Sequence, residues 1–125
     1  MELRSIDHVQ VTGPPGCEGA ARSFYGELLG LTEIPKPDSL AARGGVWFQL
    51  GDQELHIGVE PEFRPAVKAH PAFRCVDPAA LARTLQDAGA PVTWDDDVPG
   101  VRRFYTADPF GNRLEVIATA LSGAF

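Results

Sequence analysis

Hydrophobic and polar residues alternate along several short stretches of the chain, which are separated by turns containing glycine and proline. Alternation with a period of two predicts half-buried β-strands, because successive side chains of a strand point to opposite faces. In the first half we predict strands at 4–12, 31–34, 46–50 and 54–59. Gly51 and Asp52, between the last two strands, predict a hairpin turn.

Helical periodicity appears once in each half of the chain. In the first half, an apolar stripe with helical spacing predicts a helix that begins near Glu18 and ends at Gly30. This stripe consists of Ala21, Phe24, Tyr25, Leu28 and Leu29. In the second half, Asp77 predicts an N-cap followed by Pro78 in the first turn, and Gly89 predicts the end of the helix.

The second half repeats the plan of the first. Its strands are predicted at 70–76, 91–94, 101–107 and after the turn Asp108–Asn112. In the last strand, Leu114 and Val116 form one face and Arg113 and Glu115 the other. The helix-ending glycines lie 59 residues apart, and the same offset aligns His56 with Glu115.

The repeated order of strand, helix and three strands predicts an α+β fold built from two βαβββ modules. We place the first module at about 1–60 and the second at about 69–120, within one domain of residues 1–125. Residues 60–69 are the predicted linker between them, and 35–45 is a predicted loop.

The cysteines and the acidic run Asp95–Asp97 have simple structural interpretations. Cys75 falls on the apolar face of a predicted strand, so we expect a buried thiol, and Cys17 falls in a loop or at a helix start. The sequence leaves a disulfide between them open but does not require it, which favours a reduced, cytoplasmic protein. The acidic run is interpreted as a solvated loop.

Composition narrows the class of partner. The chain has 125 residues, is 44% hydrophobic and carries a net charge of −6. This charge argues against nucleic acid and anionic membranes as partners. We find no apolar run of transmembrane length and no signal-peptide pattern, so we expect a cytoplasmic protein that acts on a small molecule.

Candidate metal ligands lie at equivalent positions of the two modules. The chain has three histidines, His8, His56 and His70, each on the polar side of a predicted strand, and Glu115 is placed in the same way. Taken singly, each is more simply a structural histidine or a solvated carboxylate. Folding the modules about a pseudo-twofold axis would bring all four together, and they suit one divalent ion such as Zn, Fe(II), Ni, Co or Mn.

Further polar and aromatic residues are candidate substrate contacts: Gln10, Trp47, Arg74, Arg103 and Tyr105. Gln10 and Tyr105 share the polar strand faces with the candidate ligands, as do both arginines. Arg103 could pair with an anionic substrate group, although each arginine could equally form a salt bridge at the rim. Trp47 could line the pocket or pack in a dimer.

Four stretches of the chain resemble the vicinal oxygen chelate superfamily: Ile6–Val9, Ala21–Leu31, His70–Phe73 and Arg103–Glu115. This superfamily includes glyoxalase I, extradiol dioxygenases, methylmalonyl-CoA epimerase, fosfomycin-modifying enzymes and bleomycin-sequestering proteins. The resemblance covers nearly the whole chain. It implies paired βαβββ modules whose curled mixed sheet encloses a divalent metal, usually in a homodimer with each site inside one chain or across the interface.

The resemblance also implies roles for individual residues. His8, His70 and Glu115 match the metal positions, and His56 matches the fourth position by repeat and pattern. Glyoxalase I and the epimerase typically have Glu or Gln at that position, so His56 is either the fourth ligand or a second-sphere acid or base. Glu115, His56 and Tyr105 are the candidate catalytic residues.

We therefore expect a small metal-dependent enzyme of the lyase or isomerase type, which chelates its substrate through two neighbouring oxygens. A fosfomycin-type antibiotic-modifying enzyme and an extradiol-type dioxygenase are the enzymatic alternatives. A protein that sequesters a drug or metabolite without turnover is the alternative of a different class.

Overall fold

A computed structural model describes residues 1–119 of the chain. The chain divides into two compact units, Met1–Pro65 and Ala66–Phe125. Each unit holds one four-stranded mixed sheet with few helices, which confirms the predicted α+β class and the two modules. Ala120, the last residue of the predicted second module, lies outside the described residues.

In the first unit the sheet has the order β1-β4-β3-β2. Its strands are β1 (His8–Gly13), β2 (Thr32–Ile34), β3 (Val46–Leu50) and β4 (Gln53–Val59). β1 and β4 are parallel, and the other neighbours are antiparallel. The predicted strand 4–12 was wrong at its N-terminus, because the pairing of β1 with β4 begins at His8 opposite Glu54. Gly51, with a φ of 61°, lies in the predicted hairpin turn.

The first helix differs from the prediction in its hydrogen bonding. α1 (Glu18–Ala21) continues directly into a π-helical segment, Arg22–Leu28, where the amide of Leu29 donates to the carbonyl of Phe24 at 2.9 Å. A five-residue hydrogen-bond step shifts the later side chains around the axis. The predicted stripe is accordingly buried at Ala21, Phe24 and Tyr25 and only half-buried at Leu28 and Leu29. The predicted loop 35–45 contains a short helix, α2 (Asp38–Ala41).

In the second unit the sheet has the equivalent order β5-β8-β7-β6. Its strands are β5 (Ala72–Cys75), β6 (Thr93–Asp95), β7 (Arg103–Ala107) and β8 (Arg113–Ala118). α3 (Pro78–Asp87) connects β5 to β6, and Oδ1 of Asp77 accepts a hydrogen bond from the amide of Ala80 at 3.1 Å. The predicted N-cap with proline in the first turn is therefore confirmed.

Three sequence-based expectations for the second unit were wrong. His70 lies before β5 and not on it. Cys75 is half-buried, because the face of β5 that carries it is only partly covered. Asp95 belongs to β6 and pairs with Arg103, so it is not part of a solvated loop. Cys17 and Cys75 do not form a disulfide with each other.

Side chains alternate along β4 and β8, so one set of residues faces the core and the other set faces away from it. Leu55 and Ile57 are buried in the first unit, and Leu114 and Val116 are buried in the second. Because neighbouring side chains of a strand point to opposite faces, His56 and Glu115 lie on the faces turned away from these core residues. No helix within residues 1–119 is long and apolar enough to cross a membrane.

Candidate metal centre

In the first unit, three aromatic rings form a stack. The sheet register places Gln10 of β1 and Trp47 of β3 on either side of His56 of β4. The ring of His56 lies 3.8 Å from that of Trp47, with 5° between the planes, and 4.1 Å from that of His8, with 14° between the planes. Both faces of the His56 ring are therefore covered, and with its side chain 5% exposed the ring can be reached only at its edge.

Each histidine of this stack has a carboxylate partner. Nδ1 of His8 lies 2.9 Å from Oδ2 of Asp7, and Nε2 of His56 lies 2.9 Å from Oε1 of Glu54. A neutral imidazole carries one proton, which these carboxylates assign to Nδ1 of His8 and to Nε2 of His56. Nε2 of His8 and Nδ1 of His56 then keep their lone pairs for a cation. Carboxylates commonly orient metal-binding histidines in this way.

Sequence reasoning missed Glu54 as part of this arrangement. The available signal was its spacing of two residues from His56 on one strand, which places both side chains on the same face. The side chain of Glu54 is 33% exposed.

In the second unit, a buried turn fixes the segment that carries His70. Asp108 accepts hydrogen bonds from the amide of Asn112 at 2.9 Å and from Nδ2 of Asn112 at 2.8 Å. Oδ1 of Asn112 in turn accepts from the amide of Ala66 at 3.0 Å, and the amide of Arg113 donates to the carbonyl of Ala66 at 2.8 Å. The amide of Glu115 donates to the carbonyl of Pro71 at 3.0 Å. Residues 66–71 therefore run beside β8, which brings His70 to Glu115 although His70 is outside the strand.

The contact between His70 and Glu115 has the chemistry of a cation site. Nδ1 of His70 lies 2.9 Å from the carbonyl of Lys68, so its proton is directed there. In a neutral imidazole, Nε2 then presents a lone pair to Oε1 of Glu115 at 3.1 Å. Two acceptors this close need a proton or a cation between them. The spacing also suits two ligands of one ion, because Zn–N and Zn–O bonds are about 2.0–2.2 Å long.

Arg103 is engaged by carboxylates in this unit. Its Nη2 lies 3.2 Å from Oδ2 of Asp95, and its Nη1 lies 3.5 Å from Oε2 of Glu115. Burial by itself lowers the pKa of the Arg103 guanidinium, but Coulomb interactions with Asp95, Tyr105 and Glu115 outweigh it and raise the pKa. Arg103 is therefore a fixed positive charge beside Glu115.

The remaining candidate contacts of the second unit differ in position. Tyr105 pairs with Glu115 in the sheet, and its ring stands edge-on to that of His70 at 5.5 Å. The guanidinium of Arg113 lies 4.1 Å from the centre of the Tyr105 ring. Arg74 is exposed on β5 and, within the described part of the second unit, makes no hydrogen bond or ion pair with His70 or Glu115.

The sheet registers place candidate metal ligands at equivalent positions of the two units. The strand-β4 residue His56 corresponds to the strand-β8 residue Glu115. Each has a histidine beside it from the preceding parallel segment, His8 or His70. Within either unit taken alone, residues 1–119 contain no group of three or more His, Cys, Asp or Glu side chains placed to hold a metal ion.

Comparisons with known proteins give the family. Residues 17–117 match the model of the glyoxalase-like domain. A glyoxalase family protein from Bacillus anthracis is 50% identical in sequence and has a TM-score of 0.90, over 95% of this chain and 98% of that chain. A comparison with curated protein sequences gave no match.

Two more distant structures share the fold. Lactoylglutathione lyase from Agrobacterium tumefaciens is 22% identical with a TM-score of 0.72, over 98% of this chain and 99% of that chain. The fosfomycin resistance protein FosX from Listeria monocytogenes is 15% identical with a TM-score of 0.71, over 100% of this chain and 99% of that chain. The chain thus belongs to the glyoxalase-like domain family of the vicinal oxygen chelate superfamily.

Proposed function

We propose that the protein is a metal-dependent enzyme of the lyase or isomerase type. In this proposal His8, His56, His70 and Glu115 bind one divalent ion, and a small substrate chelates it through two neighbouring oxygens. The observation that carries the proposal is the contact of His70 with Glu115, in which Nε2 and a carboxylate oxygen face each other at 3.1 Å while Nδ1 is engaged by a backbone carbonyl.

The bound ion would act as a Lewis acid that stabilises negative charge developing on a substrate oxygen. Glu115, the candidate base, would accept a proton from the substrate as an ionised carboxylate, the form that the neighbouring guanidinium of Arg103 stabilises. Tyr105, opposite Glu115 in the sheet, is a second group that could exchange a proton with the substrate. His56, whose ring faces are both covered, is better suited to binding the ion than to reaching a substrate.

A three-ligand arrangement with His8, His70 and Glu115 is the second candidate, and it is the arrangement of fosfomycin-type and extradiol enzymes. The contact of His56 Nε2 with Glu54 also fits this version, because an imidazole paired with a carboxylate can act as an acid or base. In this version His56 is a second-sphere residue.

The test is metal analysis followed by turnover. Purified protein is dialysed, its metal content is measured, and it is then reloaded with Zn, Ni, Co, Mn or Fe(II). The hemithioacetal of methylglyoxal and glutathione, fosfomycin and a catechol are then offered as representatives of the reaction classes. We expect about one ion per chain and product from one of them. Protein that binds none of these metals contradicts the proposal, and stoichiometric protection of a compound without product indicates a sequestering protein instead.

We also propose a homodimer in a reducing, cytoplasmic compartment. Cys17 and Cys75 are not joined by a disulfide, which fits this compartment, and two-module relatives usually dimerise. Light scattering at micromolar concentration should give the mass of two chains, and a monomer at that concentration counts against the assembly.

A further inference from the structure

We propose that the first unit contains a binding pocket for a small organic anion, in which Lys36 and Arg43 bind the acidic group and Trp47 contacts the apolar part. The pocket would hold the substrate of the proposed enzyme, so its role in catalysis rests on the proposed function. The connection is Trp47, which lines the pocket and stacks on the candidate ligand His56.

The lining of the pocket is basic although the chain is acidic. The pocket has a volume of about 180 Å³ and is lined by the cations Lys36 and Arg43, the amide of Gln10, and apolar groups that include Leu40, Trp47 and Val59. None of its lining residues in the described chain carries a carboxylate, whereas the whole chain has a net charge of −6. Pockets for drug-sized ligands span about 300–1,000 Å³, so this one fits a smaller acid.

The loop that carries both cations is held in place by the rest of the unit. Nζ of Lys36 donates to the carbonyl of Gly44, and the amide of Gly45 donates to Oε2 of Glu18 at 2.8 Å. Gly45 has a φ of 90°, and a Cβ there would lie 2.3 Å from the carbonyl oxygen of Ile57. The loop therefore packs directly on the backbone of β4, and a ligand would not have to order it.

Glycine also shapes the opposite side of the pocket. A Cβ at Gly58 would lie 2.9 Å from Cδ of Gln10, so the absence of a side chain on β4 makes room for this amide. Gln10 therefore lies across Gly58 and adds a hydrogen-bonding group to the pocket.

Arg43 is available for a ligand. Its side chain is exposed, and within residues 1–119 its guanidinium makes no hydrogen bond or ion pair. The nearby carboxylate of Glu18 is engaged by the amide of Gly45 and by the charges of Arg22 and Lys36. A guanidinium and an ammonium at one pocket can bind a carboxylate or a phosphonate through charge-assisted hydrogen bonds, and the indole of Trp47 can pack on an attached aromatic or aliphatic group.

The experiment uses benzoate as the probe and benzamide as its neutral counterpart. The chain has two tryptophans, so a Trp94→Phe background leaves Trp47 as the single fluorophore. Titrations are done on metal-free protein, and phenylphosphonate is run in parallel to distinguish a carboxylate site from a phosphonate site. We expect saturable quenching by at least one of the anions and much weaker binding of benzamide.

Arg43→Gln is the informative variant, and Arg83→Gln on the exposed side of α3 is the matched control with the same change in net charge. Arg43→Gln should weaken anion binding about tenfold, the loss expected for one charge-assisted hydrogen bond, while Arg83→Gln leaves it unchanged. An unchanged circular dichroism spectrum confirms that the variant is folded.

Several outcomes overturn the inference. These are no saturable response to either anion, equal binding of benzamide, or equal weakening by the two arginine variants. Because the titration contains no metal, failure of metal binding would refute the proposed function without changing this result. Loss of anion binding with normal metal content would refute only the pocket.

Discussion

The two units place candidate ligands at the same sheet positions but surround them with different chemistry. In the first unit, His56 lies between the rings of Trp47 and His8, so its environment is aromatic. In the second unit, Glu115 contacts His70 and the guanidinium of Arg103, so its environment is charged. The comparison shows that the register fixes where a candidate ligand lies, whereas the neighbouring side chains decide whether aromatic or charged groups surround it.

The units also fix their histidines by different means. His8 is the first residue of β1 and is positioned by pairing with β4. His70 is outside the sheet and depends on the segment that Asn112 anchors through Ala66. The position of His70 is therefore more sensitive than that of His8 to changes in a distant turn.

Substitution of Glu115 or His70 in the second unit should have the largest effect on metal binding and on the stability that the metal provides. Glu115→Gln replaces the anionic carboxylate with a neutral, weaker amide ligand, and His70→Ala deletes the imidazole, so each should remove most metal binding. At free metal a hundredfold above its dissociation constant, the lost stabilisation is about 2.7 kcal/mol. Elemental analysis and thermal unfolding with and without metal measure both effects. Full metal content in either variant would contradict the assignment.

His56→Ala tests whether the first unit supplies a ligand or a supporting residue. If His56 binds the ion, metal affinity should fall by about a hundredfold, which corresponds to about 2.7 kcal/mol. We expect this result because His56 occupies the position equivalent to Glu115. Metal titration of the variant decides the matter, and an unchanged affinity with reduced turnover would move His56 to the second sphere.

Asn112→Ala should destabilise the turn on which His70 depends. The substitution leaves the amide of Ala66 and an oxygen of buried Asp108 without their Asn112 partners. Asp108 is buried whereas Ala66 is exposed to water, so only the Asp108 contact should carry the cost of about 1–3 kcal/mol for a lost buried hydrogen bond, and we expect a loss of about 2 kcal/mol in urea unfolding. Asp52→Ala in the exposed hairpin turn of the first unit is the control and should stay within about 0.5 kcal/mol. Equal losses in the two variants would contradict this role of Asn112.

Glu18→Gln should have the smallest effect on the free energy of unfolding, and this effect should depend on pH. The hydrogen bond from the amide of Gly45 is the main reason that the pKa of Glu18 lies below its ordinary value of 4.5. A lowered pKa in the folded state stabilises the fold above the unfolded value, and this gain is lost as the pH falls through the folded value. The amide of glutamine can still accept the bond, so we expect a loss of about 0.5 kcal/mol at pH 7. Unfolding at pH 7 and pH 3 measures it, and an equal difference at both pH values would exclude the charge as the cause.

Local patterns in the sequence determined much of the fold. Strand alternation predicted the opposite faces of Leu114 and Glu115, and Asp77 with Pro78 predicted the start of α3. These features depend on neighbours a few residues away, which is why a single sequence contains them. The internal repeat was visible for the same reason, since it repeats local patterns at a nearly constant offset.

Only the tertiary structure decided the features that depend on distant partners. His70 reaches Glu115 although it is not on a strand, because Asn112 anchors Ala66 from 46 residues away. Arg103 became the partner of Asp95 and Glu115 through side-chain positions that alternation alone does not give. The sequence by itself thus determined which residues face away from the core, whereas packing and hydrogen bonding across the sheet decided which of them meet.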